Sequence, residues 1–90
     1  MARFIFTYGS EGQPFCGGWT EIEAPNEDMA IGAFRLVHPC KHGDFLNCSS
    51  IYTVEEFLKT KMAKYGNLGH YGLEKITLEV HTGYFGEVQP

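Results

Sequence analysis

A glycine-rich stretch with aromatic residues near its ends, Gly9 to Trp19, constrains the fold of this chain more than any other feature. It lies between two short apolar runs, residues 3–8 and 19–24, in which alternate residues are apolar as in strands. The two runs predict a hairpin whose connection, about ten residues, exceeds the 2 to 5 that are usual in hairpins. Because long loops in small domains often carry function, we expect any binding site in this loop.

The first strand is predicted to turn an aromatic row towards the core. Phe4, Phe6 and Tyr8 fall on one face of a strand because strand side chains alternate in direction. In the second strand, Glu21 and Glu23 share a face and are expected to meet water. The hairpin therefore offers one apolar face on which helices can pack.

Two helices are predicted from capping residues and apolar spacing. Asn26 can cap a helix that runs to about His38 and ends before Pro39. Its apolar stripe is Ala30, Ala33, Phe34 and Val37. A capping box that begins at Thr53 predicts a second helix, which runs through Tyr65 and has Gly66 as its terminator. The residues on one side of this helix are Val54, Phe57, Leu58, Lys61, Met62 and Tyr65.

Two further strands complete the predicted fold, at residues 45–52 and at 73 to about 81, where Ile76, Leu78 and Val80 face inward. The predicted order is strand, strand, helix, strand, helix, strand. We expect an α+β fold, a two-layer sandwich in which a small, mostly antiparallel sheet carries both helices on one face. Residues 1–90 are expected to form a single domain, with 83–90 as a flexible tail.

Composition narrows the class of partner. The chain has 7 basic and 11 acidic residues and a formal charge of −4, with the acids spread along it. Sequence-independent binding to nucleic acid needs clustered Lys and Arg, so no direct nucleic-acid contact is expected. No apolar run reaches the ~18 residues of a membrane span, and the N-terminus lacks a signal peptide's apolar region, so we expect a cytoplasmic protein without a membrane contact.

Cysteine and histidine residues offer two catalytic hypotheses. His38, Cys40, His42 and Cys48 lie within eleven residues, but their spacing matches no common zinc motif. The alternative makes Cys48 a small core residue and the histidines surface groups. Cys16 could act as a nucleophile beside a histidine base, although papain-like sites place that cysteine at a helix start. We therefore expect no enzyme, no metal and no cofactor, and three cysteines without an export signal predict no disulfide framework.

A binding surface is better supported. Aromatic faces stack on bases or on a partner's side chains, and a glycine loop lets backbone amides approach a ligand closely. Trp19 fits a binding face or the core equally well, whereas Tyr8 fits the core better. The predicted ligand-binding residues are Tyr8, Gly9, Gln13, Phe15, Gly17, Gly18, Trp19, His42, Asn47, Ser49 and Ser50.

The N-terminal part of the chain also resembles a known kind of protein. The pattern Phe4-x-Phe6-Thr7-x-Gly9, then Gln13-Pro14, then Ile22-Glu23-Ala24 before the first helix, is similar to small uncharacterised accessory proteins of phages and mobile elements of low-GC Gram-positive bacteria. The remainder of the chain is similar in layout only. The resemblance implies a viral, anti-defence context in the host cytoplasm, and it carries over no site residues.

Together these features predict a non-enzymatic binding protein that counters bacterial immunity by sequestering a nucleotide-type immune signal. A pocket between two copies would suit so small a domain, so we expect a homo-oligomer. The alternative is an anti-CRISPR-like inhibitor that contacts a defence nuclease directly, with Glu11, Glu21 and Glu23 facing a basic groove. An alternative from another class is a small enzyme that depends on Cys16 or on zinc.

Overall fold

The computed structural model describes residues 1–10, 12–40, 46–65 and 73–79. These residues form four strands and three short helices. In chain order they are β1 (Ala2–Thr7), β2 (Trp19–Ala24), α1 (Glu27–Val37), β3 (Ser50–Thr53), α2 (Val54–Phe57), α3 (Lys61–Tyr65) and β4 (Leu73–Thr77). The α+β class is confirmed.

The four strands form one mixed sheet in the order β3-β1-β2-β4. β1 pairs antiparallel with β2, where Phe4 lies opposite Ile22, and antiparallel with β3, where Phe4 lies opposite Thr53. β4 pairs with β2 in parallel, with Ile76 opposite Ile22. The expectation of a mostly antiparallel sheet therefore holds for β1 and its neighbours but is wrong at β4.

The main core lies between α1 and one face of the sheet. Phe4, Phe6 and Tyr8 are buried there, as predicted, and the Phe6 ring stacks on Phe34 with centroids 4.6 Å apart. The predicted stripe of α1 is confirmed at Ala30, Ala33 and Phe34. It is wrong at Val37, the last residue of the helix, which is 46% exposed.

The opposite face of the sheet is covered as well, by α2. Phe57 of α2 packs its ring against Trp19 and Tyr52, with centroids 5.1 and 6.4 Å away. Because strand side chains alternate, Trp19 and Tyr52 project from the face opposite to Phe6, together with Ile5, which is buried. The prediction of two helices on one face is therefore wrong. β3 runs directly into α2 at Thr53, and Phe57 is thereby brought to the apolar patch around Ile5.

Local capping determines where the helices begin. Asn26 accepts a hydrogen bond from the amide of Met29, and the capping box at Thr53 is complete, so both predictions are confirmed. The predicted second helix is two helices, because the Thr60 hydroxyl donates to the Phe57 carbonyl (2.7 Å) and accepts from the Ala63 amide, which starts a new helix at Lys61.

The predicted strand boundaries also change. β3 begins at Ser50, so residues 46–49 precede it, and β4 ends at Thr77. Ile76 and Leu78 pack against the core as predicted. Gly66, Val80 and the predicted tail at 83–90 lie outside the described residues. No helix in the described ranges is long and apolar enough to cross a membrane.

Candidate functional site

The described part of the loop between β1 and β2, residues 8–10 and 12–18, is held closed by backbone hydrogen bonds. The Tyr8 amide donates to the Gly18 carbonyl (3.1 Å), and the Gly17 amide donates to the Tyr8 carbonyl (2.7 Å). Gly17 has a φ of 92°, a left-handed conformation that glycine adopts without strain. The base of the loop therefore continues the hairpin with a defined geometry.

Side-chain hydrogen bonds tie the loop to the segment before β3. The Ser49 hydroxyl accepts from the Gly9 amide (2.9 Å) and donates to the Gln13 Oε1 atom (3.0 Å). Gln13 Oε1 also accepts from the Ser10 amide (3.1 Å). The Ser49 amide in turn donates to the Thr7 carbonyl (2.7 Å). Three predicted site residues, Gly9, Gln13 and Ser49, are thus brought together.

Phe15, in the turn that leads into β2, has an unusual backbone conformation. Its φ is 45°, and among the described residues no other non-glycine has a positive φ. The left-handed region costs such a residue roughly 1–2 kcal/mol, so the surrounding contacts must hold it there. The residue is 38% exposed, and its ring lies 6.0 Å, centroid to centroid, from both Tyr8 and His38.

A chain of hydrogen bonds near Phe15 connects Tyr8, Thr20, Glu74 and His38. The Tyr8 hydroxyl lies 2.6 Å from Thr20 Oγ1, which donates to Glu74 Oε1 over 2.9 Å. His38 Nε2 lies 2.6 Å from the same Glu74 oxygen. Thr20 has one hydroxyl hydrogen, and it donates that hydrogen to Glu74. The Tyr8 hydroxyl is therefore the donor in its hydrogen bond with Thr20. The contacts from Thr20 and from His38 therefore meet at the Glu74 carboxylate.

Burial raises the pKa of two acidic groups near these hydrogen bonds, so both stay protonated. It raises the pKa of the Tyr8 phenol to about 12. Burial also raises the pKa of the Cys48 thiol to about 11. Cys48 packs against the core, as one of the two hypotheses for it proposed. Neither group is therefore a ready nucleophile at neutral pH.

The remaining predicted site residues are dispersed. Tyr8 is fully buried and Trp19 lies on the opposite face of the sheet, so the two do not join Phe15 in one aromatic surface. Ser50 begins β3, and its carbonyl accepts from the Thr7 hydroxyl (3.4 Å). Asn47 is partly exposed just before β3. Gly18 is buried at the base of the loop, and its amide donates to the Phe15 carbonyl (2.7 Å).

The zinc hypothesis is tested only in part. Within the described ranges, no group of three His, Cys, Asp or Glu side chains could hold a metal ion. His42, one of the four ligands that the hypothesis needs, lies outside those ranges, as does Glu11.

The sequence prediction missed His38 and Glu74 as neighbours of the loop. A signal for Glu74 was present, because the alternation that turns Ile76 and Leu78 inward places an acidic side chain on the same inward face. We call Phe15, His38 and Glu74 the loop site. The His38 and Glu74 side chains are 16% and 25% exposed, so both reach the surface.

Comparisons with protein-family models, with curated proteins and with solved structures found no match. The resemblance to accessory proteins of phages therefore stays a prediction.

Proposed function

We propose that this chain is a non-enzymatic binding protein that recognises its ligand at the loop site. The observation that carries the proposal is Phe15, a partly exposed residue whose backbone is held in the left-handed conformation and whose ring lies near Tyr8 and His38. Backbone strain of this kind persists where the surroundings over-determine a conformation, and it is concentrated at binding and catalytic sites. Burial raises the pKa values of Cys48 and Tyr8, so these two groups are poor nucleophiles at neutral pH.

The chemistry of the loop site favours a planar, nitrogen-rich ligand. The exposed part of the Phe15 ring can stack on a heteroaromatic ring. The Glu74 carboxylate accepts hydrogen bonds, which suits the exocyclic amine of a nucleobase. A nucleotide would therefore bind through its base, with its phosphates away from Glu74.

The biological role follows from the resemblance of the sequence and is proposed on that basis. A small accessory protein that holds a nucleotide-type immune signal would counter bacterial immunity by lowering the concentration of the free signal. Such a role needs only affinity, and the loop site offers the groups for it.

Thermal unfolding in the presence of nucleotides tests the proposal, because a ligand that binds only the folded state raises the midpoint by mass action. The panel contains cyclic dinucleotides and ADP-ribose derivatives. We expect a shift that Phe15→Ala abolishes and that Trp19→Ala preserves, since Trp19 packs on the opposite face of the sheet. A shift lost in Trp19→Ala and kept in Phe15→Ala would contradict the loop site.

The alternative is direct contact with a defence nuclease. One observation favours it: Glu21 and Glu23 project from the same face of β2 and are both partly exposed, so they could meet a basic groove. Glu21 already lies 3.5 Å from the Arg3 guanidinium, which reduces the charge that it offers. Absence of a shift with any nucleotide, together with salt-sensitive capture of a nuclease, would favour this alternative.

A further inference from the structure

Helix α1 carries an apolar stripe on its outer side. Leu36 is 86% exposed, more than any other large apolar side chain in the described part of the chain, and Met29 is 41% exposed. The two are seven residues apart, which is close to two helical turns, so they lie along one line on the helix. Gly32 lies between them, and a Cβ added there would meet no other part of the protein within 4 Å beyond the helix's own neighbouring backbone. The backbone of α1 is therefore open to close approach in the middle of the stripe.

Opposite charges border this stripe in a regular arrangement. Asp28 in the first turn and Arg35 in the last turn are also seven residues apart. Asp28 directly precedes Met29, and Arg35 directly precedes Leu36. They therefore lie on the same flank of it, and both are exposed. Arg35 also interacts within its own chain, and a guanidinium has five donors to share between partners.

This arrangement is complementary to itself. When two copies of a helix pack antiparallel about a two-fold axis, the same flank of each helix meets the other, and the two ends exchange places. Asp28 of one copy then faces Arg35 of the second copy, and the pair occurs twice. Met29 faces Leu36 of the second copy, and Gly32 lies near the axis, where the two backbones come closest.

We propose that a second copy of this chain docks on α1, with the two α1 helices antiparallel and crossing near Gly32. The charges match at the two ends of the helix, and the shape matches at its centre. Because one helix supplies both sides of this match, it identifies a second copy rather than a different protein. A helix of 11 residues offers a contact about 16 Å long, so the interface is small and the dimer weak. The dimer does not depend on the loop site, and either proposal can fail alone.

Sedimentation equilibrium of the full chain at low salt, from about 10 to 500 µM, tests the proposal. We expect a monomer–dimer equilibrium, and we expect Leu36→Glu and Gly32→Gln each to raise the dissociation constant at least about tenfold. Leu58→Glu is the matched control, because Leu58 is 63% exposed and follows α2 on the other side of the sheet. Gly32→Gln also raises helix propensity, so a higher thermal midpoint with weaker association would exclude misfolding as the cause.

Charge reversal tests the antiparallel geometry. Asp28→Lys and Arg35→Glu should each weaken the dimer, and the double variant should restore it, because the two-fold then pairs Lys with Glu at both ends. A chain that stays monomeric at every concentration would overturn the proposal. A dimer that Leu36→Glu and Gly32→Gln leave unchanged, or a folded double variant that does not recover, would overturn it as well.

Discussion

The Nε2 atom of His38 lies 2.6 Å from the Oε1 atom of Glu74, and this contact joins the end of α1 to β4. Thr20 of β2 donates to the same oxygen. One carboxylate oxygen therefore ties a helix and a neighbouring strand to β4, within a site that is mostly shielded from water. Charge-assisted hydrogen bonds of this kind are stronger than neutral ones.

Replacement of Glu74 by Leu should lower the free energy of unfolding by about 1–3 kcal/mol, because Thr20 and His38 would each lose their acceptor. Urea unfolding measures the effect, with Glu55→Leu on the exposed side of α2 as the control, for which a change within about 0.5 kcal/mol is expected. The double variant His38→Leu, Glu74→Leu should lose less than the sum of the single variants. Strict additivity would show that the two side chains do not interact.

Stability should fall steeply in alkali because of Tyr8. Its pKa is raised from 10.0 to about 12 in the folded protein, so between those two values the unfolded chain ionises while the folded one does not. The contribution of protonated Tyr8 to the free energy of unfolding is fully present below pH 10. It is lost as the pH rises towards 12, by up to about 3 kcal/mol. Urea unfolding at several pH values should show a shallower fall above pH 10 in Tyr8→Phe. An unchanged slope in that variant would contradict the assignment to Tyr8.

The sequence could predict the elements whose signals are local. The Asn26 cap, the Thr53 capping box and the alternation of residues 3–8 each act within a few residues, and the structure confirms all three. Thr60 carried a local signal of the same kind, since a hydroxyl at that position can cap a new helix, and the sequence prediction did not use it.

The arrangement of those elements could not be predicted, because it depends on contacts between distant residues. Nothing near Phe57 in the sequence shows that its ring packs on Trp19, and that contact is what places α2 on the second face of the sheet. The parallel pairing of β4 with β2 is likewise a long-range choice. At the β1–β2 loop, Gly9 and Ser49 are forty residues apart and meet only in the folded chain.

Cys48 should react slowly with thiol reagents in the folded protein. Burial raises the pKa of its thiol from 9.0 to about 11, so near pH 8 the reactive thiolate is about a hundredfold scarcer than in the unfolded chain. Alkylation by iodoacetamide, followed by peptide mass spectrometry, measures the rate at Cys48 with and without urea. The expected ratio is about a hundredfold or more in favour of the unfolded chain. Equal rates would show that Cys48 is not buried, and would contradict its assignment to the core.

Replacement of Phe15 by glycine separates the strain in the loop from the role of the ring. At a φ of 45°, Phe15→Gly and Phe15→Ala both lose the contacts with Tyr8 and His38, but only alanine keeps the cost of the left-handed conformation. Phe15→Gly should therefore be the more stable of the two by about 1 kcal/mol in urea unfolding. At Ser10, an exposed loop residue without a positive φ, the order should reverse, because glycine there only adds flexibility to the unfolded chain. If Phe15→Gly is the less stable, the loop relaxes out of the left-handed conformation and offers no preformed ring. If it is the more stable and no longer responds to nucleotides, the ring itself is the group that binds.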